Sequence, residues 1–127
     1  MVRTDEWKWI EVAKSDEVAE RGRLVLDLDN KTAGIFRIGG ELFAYWNICA
    51  HMGGPICQGL MVPRIVEQLD GNKAIVGSKF DEEDMQIACP WHGAEYSIRT
   101  GAHAGDGKMK LKKLPVCEEE GIVYVGL

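Results

Sequence analysis

The chain has 127 residues, of which 46% are hydrophobic and 28% charged, the make-up of one folded domain with its own core and not of a disordered tail. The formal net charge of −5, from 20 acidic against 15 basic residues, argues against a nucleic-acid partner, because phosphate binding needs a basic footprint. No apolar run has the length of a membrane span, and Met1 to Glu6 lack the basic start and apolar stretch of a signal peptide, so the expectation is a cytoplasmic protein without a membrane partner.

Turn residues punctuate the chain at short intervals, and the stretches between them are rich in β-branched and aromatic residues. This rhythm predicts an all-β protein, a small antiparallel β-sandwich or open barrel. Trp7 to Val12 reads as the first strand. Ser15 to Glu20 reads as one helical turn, capped by Ser15 and closed near Gly22. Leu24 to Leu28 is followed by the turn Asp29-Asn30-Lys31. Ala33 to Ile38 and Leu42 to Trp46 flank Gly39-Gly40, a hairpin pattern. Residues 47–60 and 89–107 then break the alternation; rich in Gly, Cys, His and Pro, they read as two shaped loops. Between them, Ile65 to Leu69 and Ala74 to Val76 suggest a hairpin about Asp70-Gly71-Asn72, and Met85 to Ala88 a short strand entering the second loop. Lys110 to Cys117, a turn at Gly121 and Ile122 to Leu127 complete the chain as a final hairpin.

The two loops carry the chemistry. They contain Cys49-Ala50-His51 and Cys89-Pro90-Trp91-His92, each one thiolate and one imidazole, ligand types that soft and borderline metals prefer. Gly53-Gly54 follow the first pair and Gly93 the second, letting backbone amides approach an anionic centre closely. Pro90 fixes its own φ and holds Cys89 extended. In a reducing compartment the four cysteines (Cys49, Cys57, Cys89, Cys117) are expected as metal ligands, catalytic thiols or buried fillers more than as disulfides. Cys57 and Cys117 read as fillers, and His103 as a solvated residue of a Gly/Ala-rich loop. Trp91 reads as a shield over the site and Met52 as loop packing. Lys108, Lys110, Lys112 and Lys113 read as the wet face of a strand, with docking as the other reading.

The C-x-H and C-x-x-H pairs, with His92-Gly93 and an aromatic at Tyr96, resemble the Rieske family. The resemblance implies one [2Fe–2S] cluster, with Cys49 and Cys89 on one iron and His51 and His92 on the other. It also implies a two-loop cluster-binding subdomain, roughly 47–107, within a single Rieske-like domain spanning 1–127. Gly54, Pro90, Trp91, Gly93, Ala94, Tyr96 and Met52 would surround the ligands. High-potential members carry a further cysteine in each loop, joined as a disulfide; here those positions are Gly54 and Trp91. They also carry a serine that donates to a cluster sulfur, where this chain has Ala94. Fewer donors lower the potential, so a midpoint near the low end of the Rieske range, about −150 mV, is expected. The pattern is similar to the ferredoxins of bacterial ring-hydroxylating oxygenase systems. That likeness implies a one-electron carrier from a flavin-dependent reductase to a terminal oxygenase, with no catalysis of its own.

The chain departs from those ferredoxins in having 37 residues between His51 and Cys89. The surplus, roughly 61–84, is expected to form a flap or hairpin that shapes docking. Two other readings remain: a redox-active small subunit of a larger reductase or oxidase, and a structural zinc module, which the mixed spacings fit poorly. Counting histidines argues against an oxygenase with its own mononuclear iron. Such a site takes two histidines and a carboxylate, and the chain's three histidines leave only His103 outside the cluster motifs.

Overall fold

The structure, a computed structural model, describes residues 6–50, 53–69, 75–91 and 93–127. In chain order its strands are β1 (Trp9–Lys14), β2 (Arg23–Leu28), β3 (Lys31–Ile38), β4 (Glu41–Trp46), β5 (Leu60–Leu69), β6 (Ile75–Ala88), β7 (Glu95–Ser97), β8 (Lys113–Leu114), β9 (Val116–Glu119) and β10 (Ile122–Gly126). They form three antiparallel sheets, β1-β10-β9, β2-β3-β4-β8 and β5-β6-β7. The all-β, antiparallel expectation holds.

Three hairpins are closed by two-residue turns whose central residues all have positive φ: Asp29 and Asn30 (50° and 66°), Gly39 and Gly40 (62° and 81°), and Glu120 and Gly121 (50° and 78°). This twist suits tight antiparallel pairs. The Gly39-Gly40 turn is also capped, since both amides donate to the Glu20 carboxylate at 2.7 and 2.8 Å.

The β2-β3-β4-β8 sheet is the middle layer. On one face Ala33, Ile35 and Ala44 pack with Ala13, Val116, Val123 and Val125 of the β1-β10-β9 sheet. On the other, Phe36, Ile38, Phe43 and Tyr45 pack with Met85, Ile87 and Tyr96 of the β5-β6-β7 sheet. Burial on both sides explains why β3 reads as a near-continuous apolar run instead of an alternating one. Each large buried side chain is worth roughly 1.5–3 kcal/mol, against about 0–1 kcal/mol for a surface ion pair, so the two cores hold the layers together.

Four expectations need correction. The turn after β1 is a 3₁₀ turn over Ser15–Glu17, and its cap is Lys14, whose amide donates to the Glu17 carboxylate at 3.3 Å, instead of Ser15. The stretch 110–117 is not one strand. Pro115 has no amide proton, and the chain changes sheet there: β8 pairs with β4, while β9 pairs with β10. The stretch 89–107 is interrupted by β7, which pairs with β6. Finally, β5 and β6 extend well beyond the expected hairpin strands. Pro63 opposes Met85 and Arg64 opposes Asp81, so the backbone of 82–84 bulges within β6. Residues 61–84 thus form a hairpin, as expected; Asp70 to Ala74 lie outside the described residues.

One polar contact ties the layers beside the apolar cores. The Arg37 guanidinium donates to Glu118 at 2.6 Å and to the carbonyls of Val18 (2.7 Å), Ser15 (3.3 Å) and Gly40 (3.2 Å). The hydrogen bond from Arg37 holds the Glu118 carboxyl below its ordinary value of 4.5. A depressed carboxyl stabilises the fold above its unfolded pKa, and that stability is lost as pH falls below it. Arg37→Met is expected to cost about 2 kcal/mol at neutral pH, by leaving several acceptors unpaired. Part of that difference should close on acidification from about pH 6 to about pH 3. Urea titrations of both proteins across that range check it; a pH-independent difference would show that packing of the arginine stem, and not the ion pair, is what the substitution removes.

Candidate metal centre

Both loops leave the same end of the β5-β6-β7 sheet. The first runs from β4 into β5 and the second joins β6 to β7, with Leu60 opposite Ala88 and Ala88 opposite Glu95. They share one backbone pattern. The Cys49 amide donates to the Gly54 carbonyl (2.7 Å) and the Gly53 amide to the Cys49 carbonyl (2.8 Å). The Cys89 amide donates to the Ala94 carbonyl and the Gly93 amide to the Cys89 carbonyl, both at 2.8 Å. In each loop the glycine four residues after the cysteine has positive φ, 75° at Gly53 and 73° at Gly93. A Cβ at either would meet nothing within 4 Å, so the left-handed backbone and not crowding calls for glycine.

The two thiols are buried, each 2% exposed, and the four cysteines form no disulfide. The loops interlock at Gly54. A Cβ there would stand 2.8 Å from the Cys89 Sγ and 2.9 Å from the Trp91 ring, so the Cys89 sulfur lies against the first loop. Trp91 packs over Gly54 with 59% of its surface exposed, at the outside of the site. Pro90 is exposed and Ala94 is half-buried against the core. Tyr96 is fully buried, and its hydroxyl lies 3.2 Å from the Cys49 Sγ and 3.6 Å from the Met109 Sδ. Once Cys49 is a thiolate, only the hydroxyl can donate.

His51, Met52 and His92, three of the expected site residues, lie outside the described residues. Among the described residues no three His, Cys, Asp or Glu side chains converge as a metal site; of the expected ligands, Cys49 and Cys89 are described, in loops that meet at Gly54.

Several supporting residues escaped the sequence reading. Arg23 donates to the carbonyls of Cys57 and Gly59, tying the first loop to β2. The Asn47 side chain accepts the Cys57 amide at 2.7 Å. Gly34 lets that loop lie flat on β3, since a Cβ there would stand 2.6 Å from the Cys57 side chain. An asparagine opening a Cys/His loop was a usable signal; nothing in the sequence marked Arg23 or Gly34. Cys57 and Cys117 are buried fillers as expected. Burial pushes the Cys57 thiol up to about 12, so it stays protonated.

Two other expectations change. His103 is not a solvated loop residue; it is half-buried against the Tyr96 ring, its Nδ1 accepting backbone amides. Lys108, Lys110 and Lys112 are exposed but lie outside the strands, with Lys113 alone in β8. They alternate with Met109 and Leu111, which turn inward to the core.

Fold and site together define a small β-protein that presents paired cysteine loops at one end of a sheet. The same loops match a known family, and the chain belongs to the Rieske [2Fe–2S] domain family, which it matches over residues 8–115. It is 23% identical over 121 residues to the ferredoxin component of the naphthalene 1,2-dioxygenase system of Pseudomonas putida, covering 94% of this chain and 96% of that protein. Among solved structures it is similar to the ferredoxin of carbazole 1,9a-dioxygenase from Nocardioides aromaticivorans IC177, with a TM-score of 0.64, 18% identity, and 93% and 96% of the two chains covered. It is also similar to a protein assigned as the small subunit of an NADH-dependent nitrite reductase from Mycobacterium tuberculosis, with a TM-score of 0.70, 16% identity and 97% of each chain covered. Among the described residues no helix is long and apolar enough to cross a membrane.

The residues present fit the family's cluster. Two buried thiols are held by matched loops that meet at Gly54, and a phenol hydroxyl reaches one sulfur.

Proposed function

We propose that this chain is a Rieske-type ferredoxin, an electron-transfer protein and not an enzyme. The observation that carries the reading is the duplicated cysteine loop, with the Tyr96 hydroxyl on the Cys49 sulfur. Cys49 and Cys89 would hold one iron of a [2Fe–2S] cluster, and His51 and His92 the other. When bound, the cluster takes up and releases one electron. The chain's own part is to bury the thiolates, orient them through the paired loop hydrogen bonds, and donate from Tyr96. Ala94 supplies no hydroxyl beside its loop, so the midpoint belongs at the low end of the family, about −150 mV.

The chain works as one domain in the cytoplasm, taking electrons from a flavin-dependent reductase and delivering them to a terminal oxygenase. The likeness, over nearly the whole chain, to ferredoxin components of dioxygenase systems supports delivery to an oxygenase. A second reading, the redox-active small subunit of a larger reductase, is favoured by the likeness to a nitrite reductase small subunit.

An electron paramagnetic resonance spectrum of the dithionite-reduced protein, with iron and zinc analysis, tests the proposal. A two-iron signal with the low average g-value of mixed His/Cys ligation is expected. Zinc without that signal would leave a structural metal module. A stable stoichiometric partner in pull-down would favour the subunit over the free carrier.

A further inference from the structure

His103 is built into the support of Tyr96 from two sides. Its imidazole meets the Tyr96 ring edge-on, with centroids 5.2 Å apart and planes at 81°. An antiparallel bridge pairs the two residues along the backbone. The imidazole is itself pinned. Its Nδ1 accepts the amides of Gly105 and Asp106, both at 3.0 Å, so the ring's own proton sits on Nε2. The His103 amide donates to the Met109 carbonyl at 2.8 Å, and the Met109 Sδ stands 3.6 Å from the Tyr96 hydroxyl. Segment 103–109 therefore wraps the phenol at both its ring and its oxygen. The far end of that phenol reaches the Cys49 sulfur at 3.2 Å.

We infer that His103 is a positioning residue for Tyr96: pinned by the amides of residues 105 and 106, it holds the phenol hydroxyl on the Cys49 sulfur and thereby raises the reduction potential of the centre. The physical link is short. A donor on a thiolate ligand draws charge from the sulfur and favours the more negative, reduced state. An edge-on ring contact is favourable beyond plain burial and selects one orientation of a buried phenol. The inference rests on the ferredoxin reading above.

The test is the midpoint potential of the cluster-loaded protein at one pH, for the wild type, Tyr96→Phe, His103→Leu, His103→Phe and the Tyr96→Phe/His103→Leu double variant. Tyr96→Phe is expected to lower the midpoint. His103→Leu should lower it in the same direction by less. The double variant should fall no further than Tyr96→Phe alone, because the influence of His103 passes through the hydroxyl. His103→Phe keeps a ring against the phenol and should recover part of the shift. A wild-type midpoint in His103→Leu overturns the inference, as does an additive double variant. Loss of the cluster from both His103 variants, while Tyr96→Phe loads normally, overturns it too, since that marks a structural role. If the wild-type spectrum shows no two-iron signal, the ferredoxin reading and this inference fall together; a wild-type signal with an unmoved His103→Leu midpoint removes this inference alone.

Discussion

Cys89→Ser will give a chain without a cluster, whereas Cys57→Ala will bind a full complement of iron. The two residues are equally buried, so exposure does not separate them. Their surroundings do. Cys89 heads a loop that closes on itself through the Ala94 and Gly93 hydrogen bonds, and its sulfur lies against Gly54 of the other loop. Serine keeps the size but offers a hard, protonated oxygen where iron–sulfur chemistry takes a thiolate. Cys57 sits in the opposite situation. Its sulfur faces the Tyr45 carbonyl at 3.6 Å and the flat backbone of Gly34, and burial pushes its thiol up to about 12. A thiol that stays protonated is no ligand. Its loss should cost only about 1 kcal/mol, through a small void. Iron analysis, the reduced-state spectrum and a thermal melt on both variants decide the matter. Iron-free Cys57→Ala with a normal melt would contradict the assignment of ligands.

Much of this was legible in the sequence because the features concerned are local. Spacing and glycine placement mark the two Cys/His loops in the sequence itself, while Gly39-Gly40 marks a hairpin and Asp29-Asn30 a turn, both with positive φ in the structure. The all-β class followed from the same turn rhythm. What the sequence hid depends on contacts made across sheets. Arg23 reaches 34 and 36 residues along the chain to the carbonyls of Cys57 and Gly59, and no local pattern announces such a reach. The length of β6 was missed because its acidic stretch, Asp81 to Asp84, resembles a loop, while the structure accommodates it by a bulge opposite Pro63. His103 was misread for a related reason: its neighbours Gly101, Ala102, Ala104 and Gly105 look like open loop. Its true environment is Tyr96, seven residues away and joined to it by an isolated bridge.

Among the described glycines, Gly59→Ala should be the most damaging substitution, lowering the melting temperature by more than about 10 °C. Gly59 has φ −76° and ψ 177°, an extended backbone open to any residue, so conformational freedom is not the reason. Close approach is. An added Cβ would collide with the Ala88 carbonyl oxygen and fall 2.8 Å from its carbon, both backbone atoms that cannot swing aside. Relief requires β5 to move off β6 where Leu60 pairs with Ala88, the residue before Cys89. Overpacking usually costs about 1–3 kcal/mol, and a clash with fixed backbone belongs at or above the upper end. The damage should therefore reach the metal centre as well as the fold, lowering cluster content even at temperatures where the chain remains folded. Gly107→Ala is the matched control. Nothing lies within 4 Å of a Cβ at Gly107, so it should change the melting temperature by no more than about 2 °C. Equal melting temperatures for the two variants would mean that β5 and β6 separate easily at this point, and that the approach of Gly59 to Ala88 does not fix the second loop.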